Sequence, residues 1–213
     1  MANTIAPFGF RSFGDQEGGA PTMGLTRRYL ASSDTSLYFT GDVVINSTTN
    51  PGFISLPTSG VTTGSTGSVP ILGVFAGCEF FSPTVGRVVW SSFFPGNTTS
   101  SSPCNAYIIE DPNQLFLVQC TSGATVGTSQ IGSGFGFTST GAQPSGNQTT
   151  GISNISLVST TVVNTAGAPF RLVDTTSNYA PPGTNGTDGT TPGAIVVVAF
   201  NNQLRRGLTG PST

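Results

Sequence analysis

Hydrophobic positions along this chain fall in short runs, not in the three-to-four spacing of an amphipathic helix. Windows that approach the helical period are broken by Gly, Pro or β-branched residues. The clearest runs are Leu37-Phe39, Asp42-Ile45, Ile71-Phe75, Val85-Trp90, Ala106-Ile109, Leu115-Val118, Ile155-Val158, Phe170-Val173 and Ala194-Phe200. Each has the length and the Val/Ile/Phe content of a strand. Between them stand turn formers: Asn50-Pro51-Gly52, Phe94-Pro95-Gly96-Asn97, Asp111-Pro112-Asn113 and Pro181-Pro182-Gly183. Proline presets φ there, and Gly and Asn accept positive φ. Many short strands so punctuated predict an all-β protein, an antiparallel sandwich or barrel.

Two kinds of segment depart from this pattern. Residues 1–25 carry Phe8, Phe10 and Phe13 among Gly and Pro with little periodicity. They read as an extended N-terminal arm whose aromatics need a surface on another chain, since exposing them costs about 25 cal/mol per Å². Residues 26–213 then form the β-rich body. Within it, 58–68, 138–150 and 177–192 read as long Gly/Ser/Thr-rich loops, and the region around 121–192 reads as a loop-rich protruding part.

Composition narrows the function. The chain has no histidine, and its seven basic residues are all arginine. Histidine is the usual proton carrier near neutral pH and a common metal ligand; lysine is the usual phosphate-loop cation and Schiff-base amine. A Ser-His-Asp or Cys-His site cannot be built, nor a His-ligated metal centre. Cys78, Cys104 and Cys120 lack ligand spacing and read as buried free thiols, with at most one pair able to close. The expectation is a protein without enzymatic activity, metal or organic cofactor.

Only 8% of residues are charged, against about 25% on average. A soluble domain so weakly charged has little protection against self-association, which points to a surface covered by partner subunits. The net charge of -2 and a pI near 4.8 oppose nucleic-acid binding, which needs a basic footprint. The N-terminus shows no secretory pattern, and no apolar run reaches membrane-spanning length.

Candidate chemistry is sparse. Glu110-Asp111 is an acidic pair, but strand neighbours point to opposite faces, and Pro112-Asn113 suggests a turn. Asp34 and Asp42 flank a strand and suit turn capping. Gly132-Ser133-Gly134-Phe135-Gly136 lacks the lysine and following helix of a phosphate loop and reads as a bulged strand. Arg27-Arg28 and Arg205-Arg206 are the only basic doublets. Their planar forks suit carboxylates on a partner subunit. The candidate partner-contact residues are Phe8, Phe10, Arg11, Phe13, Arg27, Arg28, Leu204, Arg205 and Arg206.

Short pieces scattered over most of the chain carry a resemblance. Met1-Ala2-Asn3 leads to Pro7-Phe8-Gly9-Phe10-Arg11, Gly18-Gly19-Ala20-Pro21 and Arg28-Tyr29-Leu30. Tyr38-Phe39-Thr40-Gly41-Asp42-Val43-Val44 and Ile71-Leu72-Gly73-Val74-Phe75-Ala76-Gly77 follow. Asp111-Pro112-Asn113 precedes Leu115-Phe116-Leu117-Val118-Gln119, and Asn201-Asn202-Gln203-Leu204-Arg205 stands near the C-terminus. These pieces resemble the capsid decoration, or cement, proteins of tailed phages. The chain departs from that pattern at Ser12, where proline is common, and in its Ser/Thr-rich middle. The resemblance implies a β-rich virion protein, made in the host cytoplasm and bound as a trimer to the major capsid protein on the outer face of the head. A fibre-like protein that recognises host glycan is the alternative, and a carboxylate-based carbohydrate-active β-sandwich is a third reading.

Overall fold

A computed structural model describes residues 5–19, 24–57, 70–96, 98, 104–122, 126–138, 146–163, 167–175 and 193–205. The strands are β1 (Arg11–Asp15), β2 (Leu25–Leu30), β3 (Tyr38–Phe39), β4 (Val43–Asn46), β5 (Ile54–Ser55), β6 (Gly73–Ser82), β7 (Arg87–Ser91) and β8 (Phe93–Phe94). They continue with β9 (Cys104–Ile109), β10 (Gln114–Ser122), β11 (Gly134–Phe137), β12 (Gly146–Asn147), β13 (Ile152–Ser153), β14 (Leu157–Val163), β15 (Phe170–Thr175) and β16 (Ile195–Phe200). Among the described residues the only helical element is one 3-10 turn, Thr128–Gln130.

The protein is all-β. β10, β14, β11, β15 and β16 close into a five-stranded barrel, because β10 pairs with both β14 and β16. The β10–β14 contact is parallel, and the other barrel pairs are antiparallel. β1 adds antiparallel to β10 outside this ring. A second sheet runs β2-β9-β6-β4-β5, with β7 hairpinned onto β6. A bridge from Tyr29 to Phe53 nearly closes it.

Burial explains why each run chose its place. β16 is apolar throughout because both its faces are covered. Val196, Val198 and Phe200 enter the main core, while Val197 and Ala199 pack with Leu115. β9 alternates instead: Cys104, Ala106 and Ile108 are buried in the second core cluster, while Asn105, Tyr107 and Ile109 lie half-buried on the other face, Ile109 against the main core. β11 is the Gly-rich segment, and its register slips between Phe135 and Gly136, as a bulged strand should.

Phenylalanine dominates the core. Phe10 stacks on Phe170 at 4.2 Å and meets Phe116 and Phe137 edge-on at 6.3 Å. The same cluster takes Val43, Ile45 and Val74 from the second sheet, so the two sheets share one core. Phe10 is 2% exposed, which corrects its assignment as a partner contact. Gly9 makes this possible. It sits at φ +71, and a Cβ there would lie 2.7 Å from the Ser153 side chain. Glycine alone lets the chain turn at this spot and drop Phe10 into the barrel. The backbone then anchors through Gly9 N to Ile155 O and Phe10 N to Gly41 O. The expectation that the aromatics of residues 1–25 all need another chain therefore fails at Phe10. Residues 1–4 and 20–23 lie outside the described residues.

The acidic turn residues do what their positions suggested. Asp34 accepts from Ser36 N and from the Tyr38 hydroxyl. Asp42 accepts from Phe39 N and from the Ser153 hydroxyl, tying β3 to β13. Asp111 accepts from Asn113 N in an Asx turn. The loops expected at 58–68 and 177–192, with Pro181-Pro182-Gly183, fall outside the described residues, as does most of 138–150.

Candidate functional site

Two features could act on a partner: the outer face of the second sheet and a cleft at its end. The face arises from register. Partners across an antiparallel ladder share a face. Trp90 stands opposite Glu79 and Val88 opposite Phe81; Glu79 is opposite Asn105, and Tyr107 is opposite Arg27. Leu25, Arg27 and Tyr29 share one side of β2 by alternation. The opposite face of the sheet carries Leu30, Phe75, Cys78, Ala106 and Ile108 into the second core cluster.

The outer face keeps much of its apolar area in water. Val88 is 64% exposed and Trp90 54%, with Leu25, Tyr29 and Phe81 each above two fifths. Val85 extends the patch into the β6–β7 turn. Contiguous exposed apolar area of this kind marks interaction surfaces. At its centre the Trp90 and Tyr107 rings meet with centroids 5.1 Å apart. The indole lies over Gly77, where an added Cβ would be 2.6 Å from the ring, and where the register of β6 slips. Tyr107 donates to Glu79 at 2.9 Å; this bond raises the phenol pKa above its usual value. Asn105 stands 3.5 Å from the same carboxylate oxygen. Arg27 lies over the Tyr29 ring.

The cleft encloses about 410 Å³ and is lined by residues from the N-terminal segment, β2, β6, β9 and β13. Phe8, Arg11 and Leu25 are among them, with the Arg11 guanidinium 5.0 Å from the Phe8 ring centroid. Leu25 belongs to both the cleft and the outward-facing side of the sheet, so the two features are continuous, while Ile109 packs against the main core.

The arginines sort by partner. Glu110 is 1% exposed and is held by two of them. Arg28 Nε donates to Oε1 at 2.5 Å and Nη2 to Oε2 at 2.8 Å, while Arg205 reaches Oε2 at 3.4 Å. Hydrogen bonding to Glu110 raises the Arg28 pKa. The carboxylate these two arginines meet is thus inside their own chain. Gln203 adds a third tie, donating to Leu72 O and Glu110 O. Arg171 donates to Gln16. Leu204 packs partly against the second core cluster. Arg206 lies outside the described residues. Of the predicted contact residues, Phe8 and Arg11 meet at the cleft, Arg27 lies on the outer face over Tyr29, and Phe13 is exposed on β1.

Sequence reasoning missed Trp90, Val88, Phe81, Tyr29 and Tyr107. The alternation of Val88 and Trp90 was visible, but nothing local says which side of a strand other elements cover. Cys78, Cys104 and Cys120 are free and buried as expected. Burial raises all three thiol pKa values, that of Cys120 to about 12. Among the described residues no group of His, Cys, Asp and Glu could hold a metal ion, and no helix is long and apolar enough to cross a membrane.

Searches against protein families, curated proteins and solved structures found no match to this chain.

Proposed function

We propose that this chain is a structural virion protein that binds the outer surface of a phage head and stabilises the shell. The observation that carries the reading is the exposed aromatic and aliphatic face formed by Leu25, Tyr29, Tyr107, Trp90, Val88 and Phe81. A protein that works by contact needs such a surface, and the absence of histidine and lysine leaves little else for it to work with. The resemblance scattered along the chain suggests the partner, a phage coat protein. Stabilisation then follows from linkage: a ligand that binds only the assembled shell shifts assembly towards it. An oligomer, with a trimer as the first expectation, multiplies each contact.

Co-sedimentation tests this. Heads made without the chain are mixed with the purified protein and pelleted. Saturable recovery with the heads, lost on Val88→Asp, supports the reading. Protein that stays in the supernatant at micromolar concentration overturns it.

A host glycan is the second reading, favoured by one feature. Trp90 and Tyr107 form an exposed ring pair beside the Glu79 carboxylate and the Asn105 amide. Aromatic faces stack on sugar rings, and planar polar groups bind vicinal hydroxyls. Binding to host cells that survives removal of the heads and is lost in Trp90→Ala would favour it.

A further inference from the structure

We propose that the cleft is a binding site for an amphipathic carboxylate, an apolar chain ending in a carboxylate group. This inference does not rest on the proposed function. The cleft's volume of about 410 Å³ lies in the range of small-molecule sites, about 300–1,000 Å³. At roughly 30 Å³ per water-sized group it holds a chain of about fourteen such groups. Its walls are Phe8, Leu25, Val74 and Ile109, with Arg11 at the β1 end. Among the described residues no acidic side chain lines it.

Arg11 points to an anionic acceptor. Among the described residues it makes no ion pair; its guanidinium rests on the Phe8 ring, which leaves its donors open to an oxygen ligand. Thr40, also in the lining, is already committed: its hydroxyl faces Ala76 O and Ser92 O. The polar end of the ligand therefore lies beside Arg11, and the chain runs along Leu25, Val74 and Ile109.

The probe is laurate, titrated into the intact protein by calorimetry below its micelle concentration, with dodecanol and dodecyltrimethylammonium as comparators. One laurate per chain is expected, held about tenfold tighter than either comparator, the increment of one charge-assisted bond. Arg11→Gln should erase that preference, and Ala76→Phe, which adds bulk inside the cleft, should abolish binding. Absence of laurate binding, equal affinity for dodecanol, or an unchanged preference in Arg11→Gln would each overturn the assignment. Arg11 is exposed, so its variant folds and decides the question even if Ala76→Phe does not fold.

Discussion

Replacing Glu110 with glutamine tests the joint that orients the outer face. Glu110 is buried at the end of β9, and Arg28 grips it with two hydrogen bonds. Because Arg28 points inward from β2, its neighbours Leu25, Arg27 and Tyr29 are presented outward. Glutamine keeps the volume but offers one acceptor oxygen instead of two and sets an N–H against a guanidinium. Breaking a fully buried pair costs about 3–5 kcal/mol. Here the Arg28 side chain is 37% exposed and Arg205 51%, so water recovers part of their solvation. The two charge-assisted bonds contribute about 1.5–3 kcal/mol each at most, and the expected net loss is about 2–3 kcal/mol. For a chain of this size about 1 kcal/mol moves Tm by about 2–4 °C, so the shift should be about 4–12 °C. Urea and thermal unfolding of Glu110→Gln, Arg28→Gln, Arg205→Gln and the two double variants resolve the pairs. The coupling of Glu110 with Arg28 should exceed that with Arg205, whose single 3.4 Å contact is half in water and worth under about 1 kcal/mol. A Glu110→Gln variant within about 0.5 kcal/mol of the parent would refute this account of the joint.

Phe10→Ala should cost about 3–5 kcal/mol in urea unfolding, against a much smaller loss for Phe13→Ala at the exposed position. Equal losses would remove Phe10 from the core. The three thiols should resist a thiol reagent at pH 8 in the folded protein and react fully in denaturant. Their raised pKa values also give the sign of a pH effect. Burial favours the neutral thiol, so this contribution is intact below the unfolded pKa of about 9 and fades as pH rises towards about 12 for Cys120. Stability from unfolding curves should therefore fall above pH 9, and a flat profile from pH 8 to 11 would contradict it. Trp90→Ala should leave unfolding within about 1 kcal/mol yet weaken docking by about 2 kcal/mol, roughly 30-fold, as an interface anchor does.

The strand-rich fold was legible because strands of a half-buried sheet write their alternation into the sequence, as Cys104–Ile109 does. β2 was not. Leu-Thr-Arg-Arg-Tyr-Leu places its apolar residues Leu25 and Tyr29 on the exposed side and turns Arg28 inward to Glu110, so its pattern runs against the usual rule. Phe10 was misjudged for a different reason. Its burial depends on Gly9 packing against Ser153 and Gly41, contacts between residues far apart in the chain. The closure of the barrel rests on β10 pairing with both β14 and β16, which no local pattern encodes. Glu110 and Asp111 lie just past the end of β9, in the turn that Pro112-Asn113 suggested; the two arginines of Glu110 come from distant parts of the chain and only the fold unites them.

Electron microscopy of a particle that carries this chain tests the central claim most directly. The account predicts density for the β barrel outside the shell, with Leu25, Tyr29, Tyr107, Trp90 and Val88 against another protein subunit. Density on the tail, or a head-bound chain whose outer sheet face is open to solvent, would contradict it.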